Sequence, residues 1–171
     1  MQKDYKILPD CVRTKDQAER YWHTIPALQA LPVNSIVATP PSGSVISVNC
    51  ESGLEVKGYA VPQGDDGPVV KVEVSVDGER VWREAEILGQ EEQGEMRWAW
   101  SLWRVGLRAE VVRGFTEKTS IWSRATDRGG NVQTGVKNWN YRGVAYNGFG
   151  EAKGFRIVRV GEGGEGGKTG A

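Results

Sequence analysis

Cysteine and histidine are scarce in this chain. Two cysteines, Cys11 and Cys50, and one histidine, His23, stand among 171 residues. Two cysteines make no disulfide framework, and neither their spacing nor a lone histidine builds a transition-metal ligand set. His23 has no recognisable partner for acid–base work and reads as structural. No apolar run approaches the ~20 residues of a membrane-spanning helix. The start, Met1 to Lys6, lacks the apolar centre of a secretory signal. An excess of one charge is missing too, since 22 Lys plus Arg balance 22 Asp plus Glu. That balance argues against nucleic acid or an anionic membrane as partner, which would select clustered positive charge. No nucleophile elbow, metal box or dinucleotide fingerprint is present. Gly167-Lys168-Thr169 fails as a phosphate loop because Glu162 stands where the pattern needs glycine.

What the chain does have is period-two alternation. Ser35–Thr39, Leu54–Val61 and Val70–Val76 read as strands, the last turning at Asp77-Gly78, a strong hairpin signal, into a return strand from Val81 to about Ile87. Trp98–Trp103 follows a charged loop, with 108–112 continuing it or starting a new strand. Ser120–Thr126, Tyr141–Tyr146 and Phe155–Val160 complete the set. Short strands at this spacing, without helices among them, predict an all-β fold, an immunoglobulin-like antiparallel β-sandwich over residues 34–160. Residues 1–33 differ. Arg13–Arg20 predicts a short helix capped by Thr14. Pro26 and Pro32 then keep 25–33 extended, so this segment reads as a connector lying against a neighbouring surface rather than building a core. Residues 161–171, a Gly-rich low-complexity tail, are expected to be disordered.

Seven tryptophans are present. Trp98 and Trp100 share one sheet face by alternation, and Trp103 takes the other. Such a face suits either a sugar-binding platform or a core or subunit interface. The apolar character of the strand favours the second. Glu91, Glu92 and Glu95 belong to a polar loop and read as solvated rather than catalytic. The run Asp127-Arg-Gly-Gly-Asn131-Val-Gln133, followed by Trp139-Asn-Tyr-Arg142-Gly143, sets one arginine among aromatics after a polar turn. A planar guanidinium so held suits an oxyanion; the plainer reading is an ion-paired surface arginine.

Taken in order, Asp4-Tyr5-Lys6, Ile25-Pro26-Ala27, Pro32–Ile36, Gly58-Tyr59-Ala60, Val74–Gly78 with Trp82, Trp98–Trp103, Asp127…Gln133 and Trp139–Gly143 resemble the C-terminal part of the sulfite oxidase family of molybdenum-cofactor enzymes. Plant-type and fungal nitrate reductases share this domain. The resemblance implies a homodimerisation domain packed beside a molybdopterin-binding domain that is absent here. It implies no cofactor bound by this chain, which alone would be inactive, and no nucleic-acid or membrane partner. By resemblance the setting is soluble and intracellular, in the mitochondrial intermembrane space or the cytosol. Two active-site positions carry over: Tyr5, a phenol that would donate a hydrogen bond at the reacting centre, and Arg142, which would bind the anionic substrate. The Gly148–Gly154 stretch departs from the family pattern, which leaves substrate identity open between sulfite and another oxyanion. A stand-alone glycan- or protein-binding module using the Trp98/Trp100 face is the rival of a different class.

Overall fold

Alternation of inward and outward side chains assigns the strands to their sheets. The computed structural model describes residues 3–48, 51–76, 78, 80–89, 99–135 and 140–160. Expectations for Cys50, Asp77, Glu91, Glu92, Glu95, Trp98, Trp139 and the 161–171 tail fall outside these residues. One antiparallel sheet is ordered β1 (Asn34–Thr39), β3 (Leu54–Val61), β7 (Ser101–Leu107), β6 (Glu86–Ile87). The other is ordered β5 (Arg83–Glu84), β4 (Val69–Ser75), β8 (Ile121–Asp127), β9 (Gly150–Ala152). β2 (Val45–Val48) and β10 (Arg156–Arg159) form a separate parallel pair. Val37, Val56, Trp103 and Leu107 of the first sheet and Val72, Val74, Ile121 and Ala125 of the second share one core with Phe115 and Phe155. The protein is an all-β sandwich.

Several sequence expectations need correction. Residues Ala109–Arg113 form a short helix, α2, not a strand. β7 and β8 belong to opposite sheets, so the chain must cross between them, and one turn of helix does so while burying Val112. The return strand after Gly78 (φ +74°) begins only at Arg83 and breaks at buried Ala85. β5 pairs with β4 while β6 pairs with β7, so a single alternating run changes sheets midway. Residues Tyr141–Tyr146 are a turn rather than a strand. β2 and β9 are strands that the sequence pattern did not reveal.

The N-terminal strap behaves partly as its residues dictate. Its helix is α1 (Lys15–Glu19). Thr14 Oγ1 accepts from the Gln17 N–H at 3.3 Å while Gln17 Oε1 accepts from the Thr14 N–H, a reciprocal capping box. Leu8, Val12, Ala18 and Trp22 bury one another, with Tyr21, Ile25 and Tyr141 against them. The strap thus holds a small apolar cluster of its own, and Tyr141 plugs the 140–146 turn into it. No helix among the described residues is long and apolar enough to cross a membrane.

Candidate functional site

Asn140, only 6% exposed, shapes the turn that carries Arg142. Its Oδ1 accepts from the backbone N–H groups of Arg142 and Val144, each at 3.2 Å, and its Nδ2 donates to the Val144 carbonyl at 2.8 Å. The Gly143 N–H closes the turn onto the Asn140 carbonyl at 2.9 Å. A side-chain amide that mimics backbone in this way competes with a strand ladder. Gly143 sits at φ +62°, which glycine adopts without strain, and Ala145 follows at φ +56°. These two left-handed residues are why 141–146 cannot run extended.

The turn delivers Arg142 to the far end of the sequence. Its Nη1 donates to the Lys3 carbonyl at 3.1 Å and its Nη2 lies 3.6 Å from Asp4 Oδ1. The guanidinium carbon stands 5.8 Å from the centroid of the Trp22 ring. Arg142 therefore meets the strap at the two residues preceding Tyr5. Tyr5 itself is 61% exposed, with φ +54°, and its carbonyl accepts from the Leu28 N–H at 2.6 Å. Lys6 is buried, its ammonium donating to the Trp22 carbonyl. An open cleft of about 470 Å³, bounded by Ile7, Leu28, Gln63, Asn140 and Asn147, runs between strap and turn.

Asp4, Trp22 and Asn140 support Arg142 and escaped the sequence reading. For Asn140 a signal existed: an Asn two residues before the Arg, with glycine following, is turn chemistry. For Asp4 and Trp22 none did, because their contacts to Arg142 span more than a hundred residues. The Asp127–Gln133 run proves to be a structural staple. Asp127 accepts from the backbone N–H groups of Gln63 and Asn131 and from Asn131 Nδ2, which also donates to Asp66. Among the described residues no three His, Cys, Asp or Glu side chains converge as metal ligands. Cys11 is free and exposed, its sulfur 3.7 Å from the Tyr21 hydroxyl. These residues do not fit a molybdenum cofactor.

The outer faces of the two sheets differ in kind. On the β4–β8 face Glu73 takes Arg124 at 2.8 Å and Lys71 at 2.9 Å, and Arg124 lies 4.2 Å over the Trp82 ring. Trp82 in turn meets the Phe149 ring edge-on. Burial opposes ionisation of the Glu73 carboxyl, but hydrogen bonds from Arg124 and Lys71 outweigh it and hold the carboxyl below its usual range. A depressed folded-state value gives stability that is present above the ordinary carboxylate range of about 4–4.5 and is lost as pH falls through the folded value. Urea unfolding of wild type and Glu73→Gln should therefore differ most near pH 7 and converge at about pH 3. A gap that is equal at both pH values would refute this account.

On the β3–β7 face the outward residues are apolar. Trp103 points inward and is 1% exposed, whereas Trp100 is 62% exposed, as alternation predicts. Trp100 stacks on Tyr59 with ring centroids 4.6 Å apart.

Comparison with known proteins places this geometry. The family model of the Mo-co oxidoreductase dimerisation domain matches residues 25–160. The chain is 38% identical to the mitochondrial sulfite oxidase of Mus musculus, over 74% of this chain and 23% of that protein. It is 30% identical to an NADH nitrate reductase of Brassica napus, over 85% of this chain and 16% of that protein. Among solved structures, the sulfane dehydrogenase SoxCD of Paracoccus pantotrophus shares the fold, with a TM-score of 0.53 at 23% identity, covering 71% of this chain and 29% of that one. The chain spans roughly a quarter of the length of the sulfite oxidases it matches.

Proposed function

The chain belongs to the Mo-co oxidoreductase dimerisation domain family, and from that premise we propose that it is the subunit-pairing domain of a molybdenum enzyme oxidising sulfite to sulfate. Residues 1–33 are its connector to a molybdopterin-binding domain, residues 34–160 the pairing sandwich, and the cofactor belongs to that other domain. The observation that carries the catalytic side of this reading is the approach of Arg142 to Lys3 and Asp4, directly before Tyr5. In this reading Arg142 binds an oxyanion through charge-assisted donors, and Tyr5 offers its exposed phenol to the reacting centre as a hydrogen-bond donor. A mitochondrial setting follows from the mouse relative's name, with the cytosol as the alternative.

In the enzyme that carries this domain, Arg142→Met should raise the KM for sulfite about 10- to 100-fold, the worth of a hydrogen bond to a charged group. Tyr5→Phe should lower kcat and leave KM nearly unchanged. Steady-state kinetics in which neither variant departs from wild type would overturn both roles. The 30% identity to a nitrate reductase supports a second reading, the same domain serving nitrate. Turnover with nitrate and not sulfite would select it.

A further inference from the structure

We infer that a second copy of this chain docks on the outer face of the β1–β3–β7–β6 sheet, an assignment that rests on the pairing role proposed above. Ile36, Tyr59 and Leu102 lie directly opposite one another on three adjacent strands. Trp100, two residues before Leu102, lies over Tyr59 on the same face. Ile36, Trp100 and Leu102 are 44%, 62% and 56% exposed. An apolar groove of about 320 Å³, reaching Leu31 and Tyr146, continues this row beyond the sheet edge. Contiguous large apolar side chains on a water-facing sheet mark an interaction surface, and rigid aromatics are enriched in interface cores.

The occupant is argued from the contrast between faces and from charge. The opposite sheet already covers itself with Lys71, Glu73 and Arg124 over Trp82. The apolar row has no such cover. One residue pair further along the same face, Lys57 lies opposite Arg104, which lies opposite Glu86. Arg104 binds Glu86 through two hydrogen bonds, at 2.8 and 3.2 Å, and Lys57 pairs with Glu55. Two cations are thus matched by two anions. A two-fold axis sets a patch against itself, so a single-sign border would repel its own copy; an apolar centre beside a neutral border does not. A strongly charged foreign partner would find little here to steer it.

Sedimentation equilibrium at micromolar concentration tests the assignment on the full chain. Wild type should give twice the 18.8 kDa mass of one chain. Leu102→Glu should weaken association at least ~100-fold, because the two-fold axis buries the new charge twice. Ile36→Glu should act likewise, and stands in should Leu102→Glu fail to fold by circular dichroism. Val70→Glu, an exposed apolar position on the other sheet, should leave the dimer intact. A wild-type dimer that survives both Glu substitutions overturns this face while leaving the pairing role standing. Wild type that remains monomeric up to millimolar concentration overturns the pairing role itself, and the face with it.

Discussion

Gly58→Ala should cost about 3 kcal/mol or more, at the upper end of overpacking. A methyl group at Gly58 would lie 2.0 Å from the Ile36 carbonyl oxygen and 2.2 Å from Cζ2 of Trp103. β3 is central, with β1 and β7 bonded on either side, so neither the carbonyl nor the strand has room to withdraw. The indole of Trp103 lies flat across β3 only because residue 58 has no side chain. Thermal unfolding should fall by roughly 6–12 °C, at about 2–4 °C per kcal/mol for a chain of this size. Adding Trp103→Phe should recover part of the loss and no more, because the Ile36 oxygen still blocks the methyl. A midpoint within about 2 °C of wild type would show that the close approach is not a constraint.

The second large effect is expected at Gln133, 1% exposed at the junction of both sheets and the loop that leads to Arg142. Its Oε1 accepts from Ser35 Oγ at 2.7 Å and from the Ala125 N–H at 3.1 Å. Its Nε2 donates to Asn34 Oδ1 and to the carbonyls of Ser35 and Gly148. Gln133→Ala leaves a buried N–H and a buried carbonyl without this partner, at ~1–3 kcal/mol each, and opens a cavity as well. A loss of about 3–5 kcal/mol in urea unfolding is expected, together with faster hydrogen exchange at the Ala125 amide. Gln133→Glu keeps the shape but points an ionised oxygen at three acceptors. Protonation supplies the missing donor, so its deficit should shrink from pH 8 to pH 5, opposite in sign to the Glu73 effect. A deficit independent of pH would mean that the amide is not acting as a donor there.

Neither Gly58 nor Gln133 announces its importance locally, and this separates what was legible from what was not. β1, β3, β4 and β8 follow closely from alternation, because burying one face of a strand is a local periodic demand. The Thr14 cap was legible for the same reason, its partner lying three residues away. The sheet change at Ala85 was not, since alternation fixes which way side chains point and says nothing of which strand lies alongside. The turn at 141–146 reads as a strand by composition; the buried Asn140 amide and the positive φ at Gly143 and Ala145 override it.

The sequence by itself determined an all-β chain with alternating strands, a capped strap and a set of motifs ordered as in the molybdenum-cofactor dimerisation family. Each of these rests on residues near one another along the chain, or on their order. Tertiary structure alone decided that Arg142 meets Lys3 and Asp4 and that Gln133 ties both sheets to one loop. It also decided that one sheet covers its outer face with ion pairs while the other leaves Ile36, Trp100 and Leu102 in water. Those outcomes depend on contacts between distant residues, and such contacts exist only once the chain has closed on itself.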